Sequence, residues 1–341
     1  MRLYGELDIL TRPVVVMVLT YNQADFIEQT IRSVLAQKTT FPFAVLVHDD
    51  ASTDGTQSVI FKLQQQHPEL ICLIIQDSNI LSNGRSPFVA AMRYVNSQFI
   101  ALCEGDDFWI DSKKLQIQFD FMQIHPDVSL THHDIEILNE SGSSNYEYEL
   151  MQYLLTTPRS MTILDGYHLA KGNFILTCTT LIRTNSVSLD LLEKAEGFSP
   201  YDWIIFAQVA GNSKIGFINK KMATYRLHEG NFWANSEVEH RQKEFERTLW
   251  LMAGILDGSI QNQLKMSLSN CNLKHPFNDE LEVLSKRCLE LQYKVDFQKV
   301  ELNKFEERIR LIENSKSWRY TQSLRLLRNL LKNSNRSGGL K

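Results

Sequence analysis

Three groups of polar residues in this chain are of the kind that handle a charged, oxygen-rich ligand. They are Thr20-Tyr21-Asn22, Asp49-Asp50 and Glu104-Gly105-Asp106-Asp107. Carboxylate oxygens suit a hard divalent cation; Mg²⁺ or Mn²⁺ takes one or two of them and completes its shell with substrate phosphates. Such a cation neutralises a leaving diphosphate as the bond to it breaks. Glu104, Asp106 and Asp107 are the candidates for that task. Asp50 is free to accept from a base N–H or a ribose hydroxyl, and Tyr21 could stack on a base. Plainer readings stand beside these: an acidic surface loop, a helix-capping turn at 49–55 with Ser52 or Asp54 as the cap, and a core aromatic at Tyr21.

Each group directly follows a short apolar run. Residues 14–19, 43–47, 71–75 and 98–102 read as buried strands. Amphipathic helices are expected at 25–36 and 56–67, a helix opening at Ser86-Pro87 and running to about Asn96, and another capped by Asp111-Ser112. Strand and helix alternating in this way predict an α/β fold with a parallel sheet. Ligands bind such sheets at the carboxyl ends of the strands, which is where all three polar groups fall. No Gly-x-Gly-x-x-Gly follows the first strand and no Gly-Lys-Ser/Thr loop exists, which disfavours a dinucleotide site and a P-loop. Residues 126–235 read as mixed, with strands at 174–182 and 214–218 and a helix at 201–210. His132-His133 looks like a metal pair, but neighbours on a strand point to opposite faces, so both read as structural or acceptor-side.

Composition narrows the classes. The 341 residues are 43% hydrophobic and 22% charged, enough for a large core. Five scattered Cys without a Cys-x-x-Cys pair argue against a zinc ribbon or a disulfide framework. The N-terminal residues do not read as a signal peptide, and no apolar run reaches membrane-spanning length. The net charge of −4 is uneven: 314–341 holds seven basic residues and no acid, while the rest balances at −11. An acidic body argues against nucleic acid as a partner.

The pattern changes from Leu281. Apolar residues at steps of three and four, from Leu281 to Ile312, predict a coiled coil and so a homo-oligomer. After it, Tyr320, Leu324, Leu327 and Leu331 share one helical face, with Arg and Lys opposite and Trp318 at the entry. A basic amphipathic helix of this kind predicts contact with a membrane surface; the plainer alternative is a partner-binding helix. The expected organisation is 1–235 as the main domain, 236–279 as a helical connector, 280–313 as the coiled coil and 314–341 as the basic tail.

The motifs Val-Leu-Thr-Tyr-Asn (18–22), Asp-Asp-Ala-Ser-Thr-Asp-Gly (49–55) and Cys-Glu-Gly-Asp-Asp-Phe-Trp (103–109) resemble those of glycosyltransferase family 2. The likeness continues in Lys-Leu-Gln-Ile-Gln (114–118), Ser-Pro-Tyr-Asp-Trp (199–203) and Tyr-Arg-Leu-His-Glu-Gly (225–230) and covers about 12–235. It implies a GT-A fold with flanking helices, and a nucleotide-diphosphate sugar, a UDP-sugar first among them, as donor. On that resemblance Thr20, Tyr21, Asn22 and Asp50 would contact the donor's nucleoside. Glu104-Gly-Asp106 matches the family's Asp-x-Asp motif, so that Glu104 and Asp106 would serve the donor, and Asp106, Asp107 and His228 a metal, with Arg226 beside the diphosphate. Asp202 matches the general base of inverting members; a helix cap at Asp202 and an ordinary loop histidine at His228 are the alternatives. The 315–325 segment is similar to tails of bacterial polysaccharide glycosyltransferases.

The expected activity is metal-dependent, inverting sugar transfer to a glycan or lipid-linked acceptor. The setting implied is O-antigen or capsule assembly, at the cytoplasmic face of a bacterial inner membrane. The rival readings are a non-catalytic sugar-nucleotide scaffold and a nucleotidylyltransferase. The second would need a basic, Gly-rich loop where Thr20-Tyr-Asn-Gln-Ala24 stands.

Overall fold

The computed structural model describes residues 1–140, 163–230 and 238–270. The expected coiled coil and basic tail lie outside them. The first compact unit, 1–276, holds all the described residues.

The first unit is built on one mixed sheet. Its strands are β1 (Arg2–Tyr4), β2 (Val14–Thr20), β3 (Phe43–Asp49), β4 (Ile71–Ile75), β5 (Phe99–Glu104), β6 (Phe108–Trp109), β7 (Val128–Asn139), β8 (Ile163–Asp165), β9 (Leu181–Arg183) and β10 (Lys214–Leu227). The order across the sheet is β1-β4-β3-β2-β5-β9-β7-β10-β6, with β8 on β10. The central β4-β3-β2-β5 block is parallel, as its unbroken apolar runs predict: β3 and β4 are buried at every position. Beyond β5 the sheet turns mixed, because β9 runs antiparallel to both β5 and β7.

The register sets the site. Thr20 of β2 lies opposite Asp49 of β3, and Leu19 lies opposite Glu104 of β5. The three polar groups of the sequence therefore end their strands at one level. Helices cover both faces. On one side α1 (Ile27–Leu35), α2 (Thr56–Gln66) and α4 (Lys114–Ile124) bury Ile27, Ile31, Ile60, Leu63 and Leu115 against Val14, Val16 and Val45. On the other pack α3 (Pro87–Met92), α5 (Leu189–Lys194), α6 (Tyr201–Ala210), α7 (Val238–Ile255) and α8 (Gly258–Asn270). Trp203 of α6 is fully buried there and its Nε1 donates to Leu169 O at 2.8 Å. A buried aromatic with its N–H satisfied contributes about 3 kcal/mol.

Three expectations are corrected. Residues 174–182 do not form one strand; only Leu181–Arg183 does, after a 3-10 turn at Thr177–Thr179. The Thr179 and Thr180 hydroxyls donate back to Leu176 O at 2.6 Å and Thr177 O at 2.9 Å, which closes the turn. The strand from Lys214 runs on to Leu227 through register shifts against β7 instead of ending at 218. The helix opening at Ser86 ends at Met92, short of 96.

Candidate active site

The first loop is held by an exchange of hydrogen bonds with the second. Asn22 takes a left-handed backbone (φ 51°), its N–H donates to Ser52 Oγ at 2.8 Å, and its Oδ1 accepts from Thr53 N at 2.8 Å. Asp54, one residue before the N-cap of α2, accepts from the first helical amide, Thr56 N, at 3.0 Å and reaches across to Ala24 N at 2.9 Å. Asn22 thus latches two loops together, and the N-cap of α2 is the left-handed Gly55, where Ser52 or Asp54 was expected. Tyr21 projects from this latch with 45% of its surface exposed, which excludes the core-aromatic reading. Thr20 is buried beneath it and donates to Gln23 Oε1 at 2.8 Å.

Asp50 is buried, and its two oxygens accept from Ile80 N at 2.7 Å and Leu81 N at 3.0 Å. A carboxylate oxygen has two lone pairs, so each keeps one acceptor site. Burial raises the Asp50 pKa, with Asp49 adding to the rise, while the two N–H donors oppose it. Asp50 therefore anchors the 80–81 turn, a role its sequence neighbours do not reveal.

The acidic turn after β5 is the most constrained part. One ligand oxygen from each of Glu104, Asp106 and Asp107 falls within 4.8 Å of the others. Gly105 permits this: a Cβ there would lie 2.3 Å from Gln23 Oε1 and 2.7 Å from Thr20 Oγ1. The Thr30 hydroxyl of α1 lies 2.8 Å from Gly105 O and 2.7 Å from Asp107 O and clamps the turn from below. From above, Arg226 N donates to Asp107 Oδ1 at 2.9 Å and Arg226 Nε to Asp106 O at 2.9 Å. The Arg226 guanidinium also pairs with Glu140, donates to Gln29 Oε1 at 2.6 Å and stacks on Phe26 and Phe108. Arg226 thus acts on the acidic turn itself.

His228 completes the cluster. Its Nε2 lies 3.1 Å from Asp106 Oδ2, and its Nδ1 accepts from Gly230 N at 3.1 Å. With Nδ1 used as acceptor, the neutral ring carries its proton on Nε2 and donates to Asp106.

Burial is the first cause of a strongly raised Glu104 pKa, and the charges of Asp106, Asp107 and Asp202 add to it. Asp107 is raised in the same direction by burial and by Asp106. Its Oδ2 is buried without a nitrogen or oxygen donor and faces the weak Cys178 thiol. Three crowded carboxylates, one with an unsatisfied oxygen, form a donor set that fits a hard divalent cation.

Asp202 stands in the first turn of α6. Its Oδ2 accepts from Asn173 Nδ2 at 2.9 Å, and the carboxylate also receives Trp203 N. Burial lifts its pKa to about 6 against both of those donors. Its charge is felt at Glu104, which puts the first turn of α6 within electrostatic reach of the acidic turn. His132 and His133 are buried, and burial depresses both, His132 to about 3, in keeping with structural histidines. Thr30, Gln29, Asn173, Thr177 and Cys178 were not singled out in the sequence, because their partners are distant in the chain.

The model of the family described as Glycosyl transferase family 2 matches residues 15–179, from strand β2 past the acidic turn to the Thr177–Thr179 turn. Just under half of the chain is therefore similar to that family. The uncharacterized protein Rv1520 of Mycobacterium tuberculosis is 28% identical over 242 residues, 71% of this chain and 66% of that one. The uncharacterized glycosyltransferase alr2836 of Nostoc sp. is 28% identical over 222 residues, 63% of this chain and 65% of that one. This chain thus spans just under two thirds of the length of both relatives. The crystal structure of S. aureus TarS 1-349 in complex with UDP-GlcNAc matches with a TM-score of 0.53 and 20% identity, covering 73% of this chain and 69% of that chain. The sheet and its flanking helices therefore have the GT-A fold. Asp202, Arg226 and His228 lie beyond the matched residues 15–179, and the sheet and α6 bring them back to the domain's acidic turn.

Proposed function

We propose that the chain is an inverting, metal-dependent glycosyltransferase that moves a sugar from a UDP-sugar to a glycan or lipid-linked acceptor. The observation that carries this is the convergence of Asp202 on the Glu104-Asp106-Asp107 cluster at the carboxyl ends of the strands. TarS, of similar fold, binds UDP-GlcNAc, which supports a uridine donor. In this reading Tyr21 offers an exposed ring to the base, and Thr20, Asn22 and Asp50 shape the nucleoside end. Glu104, Asp106 and Asp107, with His228 at Asp106, would hold a divalent cation, Mn²⁺ or Mg²⁺, which when bound would supply charge neutralisation for the diphosphate. Arg226 keeps the acidic turn in place. Asp202, as carboxylate, accepts the proton of the acceptor hydroxyl; that oxygen then bonds to the anomeric carbon from the face opposite the diphosphate, so configuration inverts.

In this reading the acceptor belongs to surface-polysaccharide assembly, such as O-antigen or capsule, at the cytoplasmic membrane face. Among the described residues no helix is long and apolar enough to cross a membrane. The basic 314–341 segment supplies the membrane contact and the 281–312 repeat a second copy of the chain.

A panel of nucleotide sugars incubated with Mn²⁺ tests the activity. The wild-type chain releases UDP with at least one sugar and stops in chelator, and Asp106→Asn abolishes the metal-stimulated part. Asp106→Asn retaining most of that release overturns the metal role.

A further inference from the structure

Asp202, Glu104 and Asp107 each meet one side chain from a single short stretch of chain. The Asn173 amide is fixed at both ends: Nδ2 donates to Asp202 Oδ2 at 2.9 Å and Oδ1 accepts from Ile175 N at 3.0 Å. A few residues on, the Thr177 side chain interacts with Glu104, and the Cys178 thiol faces Asp107. This stretch is not a free loop. Phe174, Ile175, Cys178 and Thr179 are buried, and the Thr177–Thr179 turn is closed by its own hydroxyls.

The back of the turn is tied into a closed ring of contacts. Lys114 Nζ donates to Gln118 Oε1 at 2.7 Å, one helical turn along α4. Gln118 Nε2 donates to Thr179 O at 2.9 Å. Trp109 Nε1 donates to Cys178 O at 3.1 Å, and Lys114 Nζ lies 4.1 Å from the centre of the Trp109 ring. Lys114 is fully buried and burial lowers its pKa to about 7, so its amino group must find its partners inside the protein, and the Gln118 oxygen and the indole face provide them. A ring of this kind resists sliding, because moving the turn breaks several buried contacts at once.

We propose that 173–179, tied down by Lys114, Gln118 and Trp109, is the spacer that fixes Asp202 against the Glu104-Asp107 carboxylates, with Asn173 and Thr177 as positioning residues. The proposal rests on the reading of Asp202 as base and of the carboxylates as a cation site. Its physical content is that proton acceptor and diphosphate-binding end must keep a set separation, since misplacement by about 1 Å can cost on the order of 10²-fold in rate.

The test uses the full chain with Asn173→Ala, Thr177→Val and Thr177→Ser. Outer contacts of this kind carry about 10- to 100-fold in affinity or activity. Asn173→Ala is expected to lower kcat by about tenfold or more while the dissociation constants of UDP-sugar and Mn²⁺ stay at wild-type values. Thr177→Val is expected to weaken Mn²⁺ binding, read by titration without donor, by about tenfold, and Thr177→Ser to restore it. Wild-type kcat in Asn173→Ala together with wild-type Mn²⁺ affinity in Thr177→Val overturns the spacer, provided Asp106→Asn and Asp202→Asn keep their own losses. If those two variants behave as wild type, the underlying reading of the site falls, and the spacer with it.

Discussion

Burial holds the Asp202 carboxyl at about 6, against the opposing donors Asn173 and Trp203 N, and its charge is felt at Glu104. Its raised pKa fixes the sign of the pH dependence. Below about pH 6 the carboxyl is protonated and cannot take a proton; above it the carboxylate is available. kcat/KM is therefore expected to rise with pH through an acid limb near 6 and then level off, and Asp202→Asn is expected to lack that limb. An unchanged limb in the variant assigns it to another group. At this scale the sequence was most legible where a residue acts beside its neighbours: Glu104, Asp106 and Asp107 share one turn. It was least legible where one side chain has two tasks. Thr30 reads as a position on the buried face of α1, yet its hydroxyl clamps Gly105 and Asp107, far along the chain. Arg226 reads as a donor ligand, and the structure shows it bound to Asp106, Asp107, Glu140 and Gln29.

The central strands declared themselves because β-branched runs buried on both faces leave few other options. The later elements did not. Strand β10 crosses register shifts that break its pattern, and the threonines of 177–180 satisfy hydroxyls and carbonyls locally where a strand was expected. Strand β7 carries a consequence for stability. His132 is wedged between Phe174 and Phe217, ring centres 5.5 and 5.1 Å away, and burial lowers its pKa from 6.5 to about 3. Between those values the unfolded chain binds a proton that the folded chain refuses, so stability is full above pH 6.5 and falls as pH drops. At pH 5 this one histidine costs about 2 kcal/mol. His48, lowered to about 4 by burial, acts in the same direction. In His132→Phe the melting temperature is expected to fall less between pH 7 and pH 5 than in wild type. An identical fall in both proteins refutes the assignment.

Across the whole chain the modest net charge of −4 is the average of a basic 314–341 segment and an acidic remainder at −11. Three acids of that remainder, Glu104, Asp106 and Asp107, crowd a single turn. The basic segment serves an anionic membrane in the proposed function, with each basic residue near such a leaflet worth at most about 1 kcal/mol. Deleting 314–341 is expected to move the protein from membrane to soluble fractions, while turnover on a soluble acceptor persists. Unchanged fractionation removes the membrane role from that segment.

The central claim is that Asp202 and the acidic turn work as one sugar-transfer site. Donor affinity and turnover measured side by side on wild type and Asp202→Asn test it most directly. The account predicts that Asp202→Asn binds UDP-sugar with wild-type affinity in the presence of Mn²⁺, yet loses about 10²- to 10⁴-fold in kcat, the usual contribution of a general base. Wild-type turnover in Asp202→Asn contradicts it.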